Sequence, residues 1–598
     1  MQQRKPKIKA GRASRAPSVL VSATFAPSPR LACAAIVLAT FLAYVNSLGG
    51  EFVFDDTVII QGNTSIQGLD PAHLKEIFGG HYWKAVEKQG GLYRPIVMLS
   101  YAINYALGGE DPVGYHLFNV ILHALNGILV FLVLEELFSR RPLSFLSAVL
   151  FVLHPIRTEG VASIVGRAES LSAFFILLGW WAYIRQRKKG GPHWLALSAA
   201  FFLLAVLSKE SAFSFIALLP LTDFLLGGGR LGGFRPALVR YLPHIAVLAF
   251  TITLRARILG GLMPLYINPS SNPLVDADGW SRFLTATWVF ARYLWLLIFP
   301  HNLSADYSFN EIQLVTGLFS GRALVSLAAL ILFVLGTVIS ARRSPFLFCC
   351  GFVFLSSFVL TSNWLRPIGT IMAERLLYFP SLGFTCALAY LVCEGLERPQ
   401  WRTAAQIGSL LLILGYGVRT LDRNFDWKDH YRLFGSAVQA SPNSSLVQAN
   451  YAAILLNVKN QPRGAIEHAL KAIEILPADP SAHFTLAEAY LRLGDQERAA
   501  VAFQAVVRLA PRTSGGVSAL RSLASIREAQ GETKSAISEN QKIIEWRAAD
   551  ISSYLALARL YGKVGRSDRV RETLEKARQL APQNPAVIQA WQKFSRGE

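Results

Sequence analysis

The chain has 598 residues, 52% of them hydrophobic, and a mean hydropathy of +0.35, which excludes an average soluble enzyme and points to an integral membrane protein. Its formal charge is +20, but the Lys and Arg gather in short clusters between apolar runs, where they report topology rather than nucleic-acid binding. The C-terminal part carries no RNA- or zinc-type motif, and all five cysteines (Cys33, Cys349, Cys350, Cys386 and Cys393) lie inside apolar runs, which argues against a disulfide framework or a zinc site.

Residues 1–30, basic with Ser and Pro, read as a disordered cytoplasmic tail. The apolar run 31–48 flows into "GGEFVFDD" without a small-residue cleavage site and reads as a retained first span. Further spans are expected at 115–138, 142–156, 170–184, 193–208, 211–226, 237–254, 322–341, 345–362, 376–393 and 403–420, about eleven in all, so residues 31–421 form one transmembrane domain. With the tail inside, the chain returns to the cytoplasm at "SRRP" (139–142), "RQRKK" (185–189) and "GGGRLGGFRPALVR" (227–240), each basic as the positive-inside rule requires.

The run 283–300, "FLTATWVFARYLWLLIFP", contains Arg292 and several aromatics. If it crossed once, "ARRSP" (341–345) would land outside. We read it as an interfacial or protein-buried helix that does not cross, which keeps "ARRSP" and "EGLERPQWR" (394–402) inside and the C-terminus outside.

From residue 422 onward the long apolar runs stop and amphipathic helical patterning begins. Anchor residues recur at Asn460, Gly494, Gly531 and Gly565, with spacings of 34, 37 and 34. Closing prolines fall at Pro477, Pro511 and Pro582, and small residues (Ala453, Ala465, Ala472, Ala487, Ala499, Ala524, Ala536, Ala558, Ala577) sit where paired helices must approach closely. The period is that of the tetratricopeptide repeat, about four units, the third with three extra residues and Ala548 in place of the proline. Residues 422–598 are therefore expected to form an α-solenoid outside the cytoplasm.

On the expected outer face lie Asp55 and Asp56, Tyr93 and Arg94, then His154, Arg157, Glu159, Arg167 and Glu169, then Lys209 and Glu210, then Arg366, Glu374, Arg375 and Tyr378. Each alone reads as a solvated boundary residue. Together they put every ionisable cluster not explained by positive-inside on one face, where charges need partners. Several Arg and Lys beside several carboxylates suit an anion held next to a general base, with Arg forking onto phosphate and a carboxylate taking a proton from a hydroxyl. Arg255, Arg257 and Asp306 either line an acceptor cleft or solvate an interfacial loop.

These stretches resemble the transmembrane and tetratricopeptide repeat containing family of O-mannosyltransferases, within the wider GT-C membrane glycosyltransferases. The resemblance is carried by "FVFDDTVIIQGN" (52–63), "YRPI" (93–96), "YHLFNVILHALNG" (115–127), "LHPIRTEGVASIVGRAE" (153–169), "LSKES" (207–211), "NPLVDADGWSRFLTATWVFARYLWLLIFPHNLSADYS" (272–308), "MAERLLYFPSLGF" (372–384) and "RNFDWKDHYRLF" (423–434). It implies an all-α fold: a polytopic GT-C bundle followed by the repeat solenoid. It also implies an inverting glycosyltransferase that moves a sugar, commonly mannose, from a polyprenyl- or dolichyl-phosphate donor to protein hydroxyls outside the cytoplasm.

By the resemblance, the acidic motif of the first outer loop maps onto Asp55 and Asp56. Asp55 is taken as the catalytic carboxylate and Asp56 as its support. Arg94, His154, Glu159, Arg167, Glu169, Lys209, Glu210, Glu374, Arg375 and Tyr378 are taken as the donor-phosphate and substrate set. A divalent ion on Asp55 and Asp56 stays open, with no dedicated metal cage. The expected partners are the lipid-linked donor and a protein or peptide acceptor bound by the repeats, with no nucleic acid. Arg-, Ala- and Leu-rich spans with short loops suggest a bacterial inner-membrane protein; the endoplasmic reticulum membrane is the alternative. The competing readings are a non-catalytic membrane-anchored repeat scaffold for secretion or envelope polymer assembly, and a lipid or solute transporter. The transporter would require mid-span charge pairs and internal symmetry that the sequence does not display.

Overall fold

The computed structural model describes residues 27–83, 91–230, 233–261 and 267–596. Residues 1–26 of the expected basic tail lie outside them. Among the described residues every regular element is helical. The first helix, α1 (Pro29–Tyr44), leads into a long connection holding α2 (Asp55–Ile59), α3 (Pro71–Gly79) and α4 (Pro95–Gly108). The bundle continues through α5 (Pro112–Phe138), α6 (Arg141–Leu153), α7 (Thr158–Val161), α8 (Arg167–Lys189), α9 (Pro192–Ser208), α10 (Phe215–Leu226), α11 (Phe234–Leu259), α12 (Gly279–Ile298), α13 (Gly321–Arg343), α14 (Pro345–Phe358), α15 (Ser381–Glu397) and α16 (Arg402–Asp426).

Helix starts follow local chemistry. Asp111 accepts the Val113 N–H at 3.0 Å ahead of α5, whose first residue is a proline. Ser320 and Ser344 cap α13 and α14 in the same way. Each of the eleven segments expected to cross contains an α-helix, and those at 211–226 and 376–393 begin in short 3-10 turns ahead of it. Among the described residues five helical stretches, Pro29–Gly49, Pro112–Phe138, Phe234–Leu259, Gly321–Arg343 and Pro399–Asp426, are long and apolar enough to cross a membrane. The chain is a multi-pass membrane protein. α5 is central and largely buried, whereas α11 and α13 leave most of their apolar side chains on the surface, as lipid contact allows and water does not.

The two ends of the bundle differ in what they collect. At one end the basic turns find acids. Arg140 bonds Glu397 at 2.8 Å and lies 3.6 Å from Glu394. Arg185 meets Glu136 at 3.0 Å, and Arg187 meets Asp223 at 2.7 Å, with Arg240 on the same carboxylate. The start of α14 is at this end too, since the Phe346 ring lies 4.8 Å from Phe138.

The opposite end holds the loops that follow α1, α6, α9 and α14. Both flanks of α12 are tied there. Before it, the Asn272 amide donates to Asn363 Oδ1 (2.9 Å) and Ile368 O (2.8 Å). After it, the Ser304 N–H donates to Glu374, and the Val315 N–H to Thr285 within α12 itself (2.8 Å). One face of α12 is buried and the other carries Trp280 and Trp295, each at least half exposed.

α16 returns the chain to this same end, where α17 (His430–Ala440) begins the second domain. Four antiparallel pairs follow: α18 (Ser445–Asn457) with α19 (Pro462–Ile475), α20 (Pro480–Arg492) with α21 (Gln496–Leu509), α22 (Ser514–Ala529) with α23 (Thr533–Trp546), and α24 (Ile551–Lys563) with α25 (Ser567–Leu580), closed by α26 (Pro585–Ser595). The four anchor residues are the turns inside these pairs: Asn460, Gly494, Gly531 and Gly565 have φ of +51°, +83°, +80° and +71°. That left-handed backbone is open to Gly and tolerated by Asn, which is why the sequence marks it. Ala465, Ala472, Ala487, Ala499, Ala536 and Ala577 are fully buried between helices, while Ala453 is half-buried.

The repeat domain is fused to the bundle rather than tethered. Main-chain bonds cross the junction from Glu51 to Lys428 (2.9 Å), Asn310 to Asn443 (2.9 Å) and Ser445 to Phe309 (2.8 Å). Val53, Ala162, Ala305, Trp427, Leu433 and Phe434 share one core there.

Candidate functional site

The opening acidic pair sits on a sharp turn. Phe54 has φ +55° and ψ −120°, an arrangement that costs a residue with a side chain about 1–3 kcal/mol and persists only when its surroundings hold it. The Phe54 ring packs edge-on against Phe434 of α17, 5.6 Å between centroids.

The next two residues part company. Asp56 is fully buried, and its carboxylate accepts the N–H groups of Val165 (2.8 Å), Val53 (3.1 Å) and Ile164 (3.4 Å). Asp56 thus pins the connection after α1 to the turn before α8. Burial pushes its carboxyl up to about 7, against the pull of those three donors. Asp55 is half-buried, and its charge acts on Arg375.

Around Asp55 stand two ion pairs. Glu159, nearly fully buried, accepts the Arg375 main-chain N–H at 2.8 Å with one oxygen and the guanidinium with the other. Arg375 keeps 29% of its side chain exposed. Burial works against its charge, but Glu159, then Asp55 and Asp306, hold its pKa above the ordinary arginine value. Arg94 forks onto Glu210 through Nη2 (2.7 Å) and Nε (3.2 Å), with Arg255 of α11 3.9 Å from the same carboxylate. Burial raises the Glu210 carboxyl, yet Arg94, Arg255 and Lys209 bring it well below the usual carboxylate range. Lys209 is buried in an ion pair with Glu169, and burial, with Arg94 and Arg375 nearby, depresses its pKa.

Asp55, Glu159, Arg375, Arg94, Glu210, Lys209 and Glu169 therefore share one end of the bundle. Arg255 and Asp306, for which the sequence left two readings, lie with them. Asp306 also accepts the Ser444 hydroxyl of the repeat domain at 2.9 Å.

Four other expected residues lie deeper. Arg167 is fully buried, bonded to Asn119 Oδ1 (2.8 Å), Tyr115 O (3.0 Å) and Ser100 O (3.2 Å), with its guanidinium over the Tyr101 and Phe118 rings. His154 links the main chain at Leu297 (3.0 Å) and Ile156 (3.2 Å). The Tyr378 hydroxyl meets His123 (2.7 Å) and Asn126 (2.9 Å) inside the bundle. Glu374 is fully buried and accepts the Tyr307 hydroxyl at 2.8 Å.

Arg423, to which the sequence assigned no role, faces that Glu374 carboxylate at 3.8 Å, and neither side chain is exposed. Its signal was present in the sequence: an arginine at the outer end of the last span runs against the positive-inside pattern. The divalent ion left open at Asp55 and Asp56 gains no support from this geometry. Both Asp56 oxygens accept main-chain donors, and among the described residues no three His, Cys, Asp or Glu gather as a ligand set.

Residues 263–334 match the family model described as protein O-mannosyl-transferase TMTC, DUF1736. Protein O-mannosyl-transferase TMTC1 of Homo sapiens is 30% identical over 502 residues, covering 76% of this chain and 56% of that protein. The chain is similar to the TMTC proteins over most of its own length. TMTC3 of Homo sapiens is 29% identical over 510 residues, 79% of this chain and 54% of its own length, and TMTC4 of Mus musculus is 30% identical over 478 residues, 71% and 63%. The chain spans a little over half the length of the curated TMTC relatives it matches. The TMTC-matching segment contains α12 and the Asp306 loop. Residues 480–513 and 551–584 match tetratricopeptide repeat models. Among solved structures, MamA is 20% identical over 27% of this chain and 91% of its own, with a TM-score of 0.24.

Proposed function

We propose that the chain is a membrane glycosyltransferase that moves a sugar, mannose foremost, from a polyprenyl- or dolichyl-phosphate donor to hydroxyl groups of a protein acceptor on the extracytoplasmic side. The single observation that carries this reading is Asp55 beside the Glu159–Arg375 and Arg94–Glu210 pairs at one end of a membrane bundle. Names of the TMTC relatives support it.

In this reading Asp55 takes the proton of a Ser or Thr hydroxyl as that oxygen bonds the anomeric carbon. The bond from that carbon to the phosphate oxygen breaks, and the lipid phosphate leaves with its electron pair. A single displacement inverts the anomeric carbon. Arg375 and Arg94 meet the charge that grows on the leaving phosphate, worth on the order of 1.5–3 kcal/mol for each charge-assisted contact. Glu159 and Glu210 aim these guanidiniums, and the Lys209–Glu169 pair braces them. Arg167, His154, Glu374 and Tyr378 hold the loops that present the site. The repeats, at the same end, take the acceptor. The setting is the cytoplasmic membrane of a bacterium with the repeats outside, or the endoplasmic reticulum membrane with the repeats in the lumen.

The test is a transfer assay on membranes carrying the chain, with a panel of polyprenyl-phosphate sugars and detection of sugar on protein. Asp55→Asn should lower turnover by about 10²–10⁴-fold with donor binding retained. Arg375→Lys, which loses the fork, should raise the donor KM by roughly tenfold or more. A folded chain that transfers no sugar from any donor would leave the scaffold reading in its place.

A further inference from the structure

Asp55 follows directly on a residue held by the start of the repeat domain, and Arg375 on one held by the end of α16, where the chain enters that domain. On one side, Phe54 keeps its positive φ with its ring against Phe434 of α17. On the other, the turn 373–375 is fixed residue by residue. Ala373 exchanges both main-chain bonds with the Tyr293 hydroxyl at 2.9 Å, Glu374 accepts from Ser304 and Tyr307, and the Arg375 N–H binds Glu159.

The second oxygen of Glu374 faces Arg423, which in turn reaches Asp426 (2.8 Å) and Ser436 of α17 (3.4 Å). Arg423 Nε and Nη2 and Glu374 Oε2 make no hydrogen bond among the described residues. A fully buried ion pair of this quality contributes little to stability, and apolar replacements often do better. Its presence calls for a positional reason.

We infer that Arg423 and Phe434 are positioning residues for the reaction: through Glu374 and Phe54, the end of α16 and the root of the repeat domain together set where Arg375 and Asp55 stand. The bundle's outer face is then complete only with that root in place. This rests on the glycosyl-transfer reading, so the experiment needs one readout that does not depend on transfer.

The full-length chain in membranes is compared as wild type, Arg423→Gln, Arg423→Gln with Glu374→Gln, and Phe434→Ala. Donor KM and kcat are measured, together with amide exchange over residues 54–56 and 373–375. Arg423→Gln leaves Glu374 buried without its cation. It should raise donor KM roughly tenfold, less than the roughly 10²-fold that an ångström of misplacement can cost, and the added Glu374→Gln should recover most of it. Phe434→Ala should lower kcat by a similar factor with donor KM unchanged, because Asp55 acts in turnover and not in donor affinity. Exchange should quicken at 373–375 in the first variant and at 54–56 in the last.

If Arg423→Gln does not insert, the charge-neutral double variant carries the comparison with Phe434→Ala. Folded variants with wild-type kcat, KM and exchange would overturn the inference. If the wild-type chain transfers nothing, the transfer reading has failed on its own. Exchange then decides positioning: quickened exchange supports it, and unchanged exchange overturns it.

Discussion

At Asp55 and Asp56 two identical side chains, one bond apart along the chain, meet opposite surroundings. Asp56 accepts three main-chain donors in a fully buried place, and Asp55 is half-buried beside Arg375. Asp56→Asn would turn an amide N–H₂ toward one of those donors and leave a buried group unsatisfied, a loss of about 1–3 kcal/mol. Its thermal midpoint in detergent should fall, whereas that of Asp55→Asn should stay near wild type; the pair is read by melting both in matched preparations. The sequence pointed to Asp55 through its resemblance to the acidic position of the family's first-loop motif. The segment is a five-residue helix, yet the two carboxylates still diverge. What was not legible is the difference between Arg375 and Arg167. Both are arginines in apolar company, and only the folded chain reveals that the hydrogen bonds of one end on main-chain carbonyls and Asn119 while the other meets Glu159 and the surface.

At the scale of elements, the repeats were legible because their turns demand a rare backbone. Gly494 has φ +83° with nothing within 4 Å of where a Cβ would stand, so Gly494→Ala meets strain without a clash. It should destabilise the second repeat by about 1–2 kcal/mol, and Asn460→Gly, at φ +51°, should be neutral or slightly stabilising. Denaturant melts of the full chain followed by repeat-domain tryptophans check both. α12 was half legible. Its Arg292 and aromatics argued against crossing, and the guanidinium lies over the Tyr307 ring, 5.6 Å from its centroid, and 3.7 Å from Glu311. Single cysteines at Ser270 and Asn302, on its two flanks, should react with the same impermeant reagent from the same side of the membrane. Opposite labelling would make α12 a span. The junction with α17 was not legible, since Phe434 and Arg423 act through partners some 380 and 49 positions earlier in the chain, Phe54 and Glu374.

For the molecule as a whole, two carboxyls at the end that carries the site are raised by burial to about 7, those of Asp56 and Glu374. In the unfolded chain they titrate near 4. The native state therefore keeps protons that the unfolded state releases, and their contribution, complete below about pH 4, is lost as pH climbs to about 7. The thermal midpoint should be lower at pH 8 than at pH 5, with a shallower slope in Asp56→Asn and in Glu374→Gln.

The opposite end carries a consequence for how the chain is made. Arg140 is matched by Glu397, 257 residues later in the chain. At about 5–20 residues per second, that partner emerges on the order of ten to fifty seconds after the arginine. During synthesis the "SRRP" turn thus meets the membrane without the late acid, at the time when orientation is chosen. Once α15 arrives, Glu394 and Glu397 neutralise it. The late carboxylates let one arginine act first as an address for insertion and afterwards as a clasp between the α5–α6 turn and α15, without the two duties ever overlapping in time.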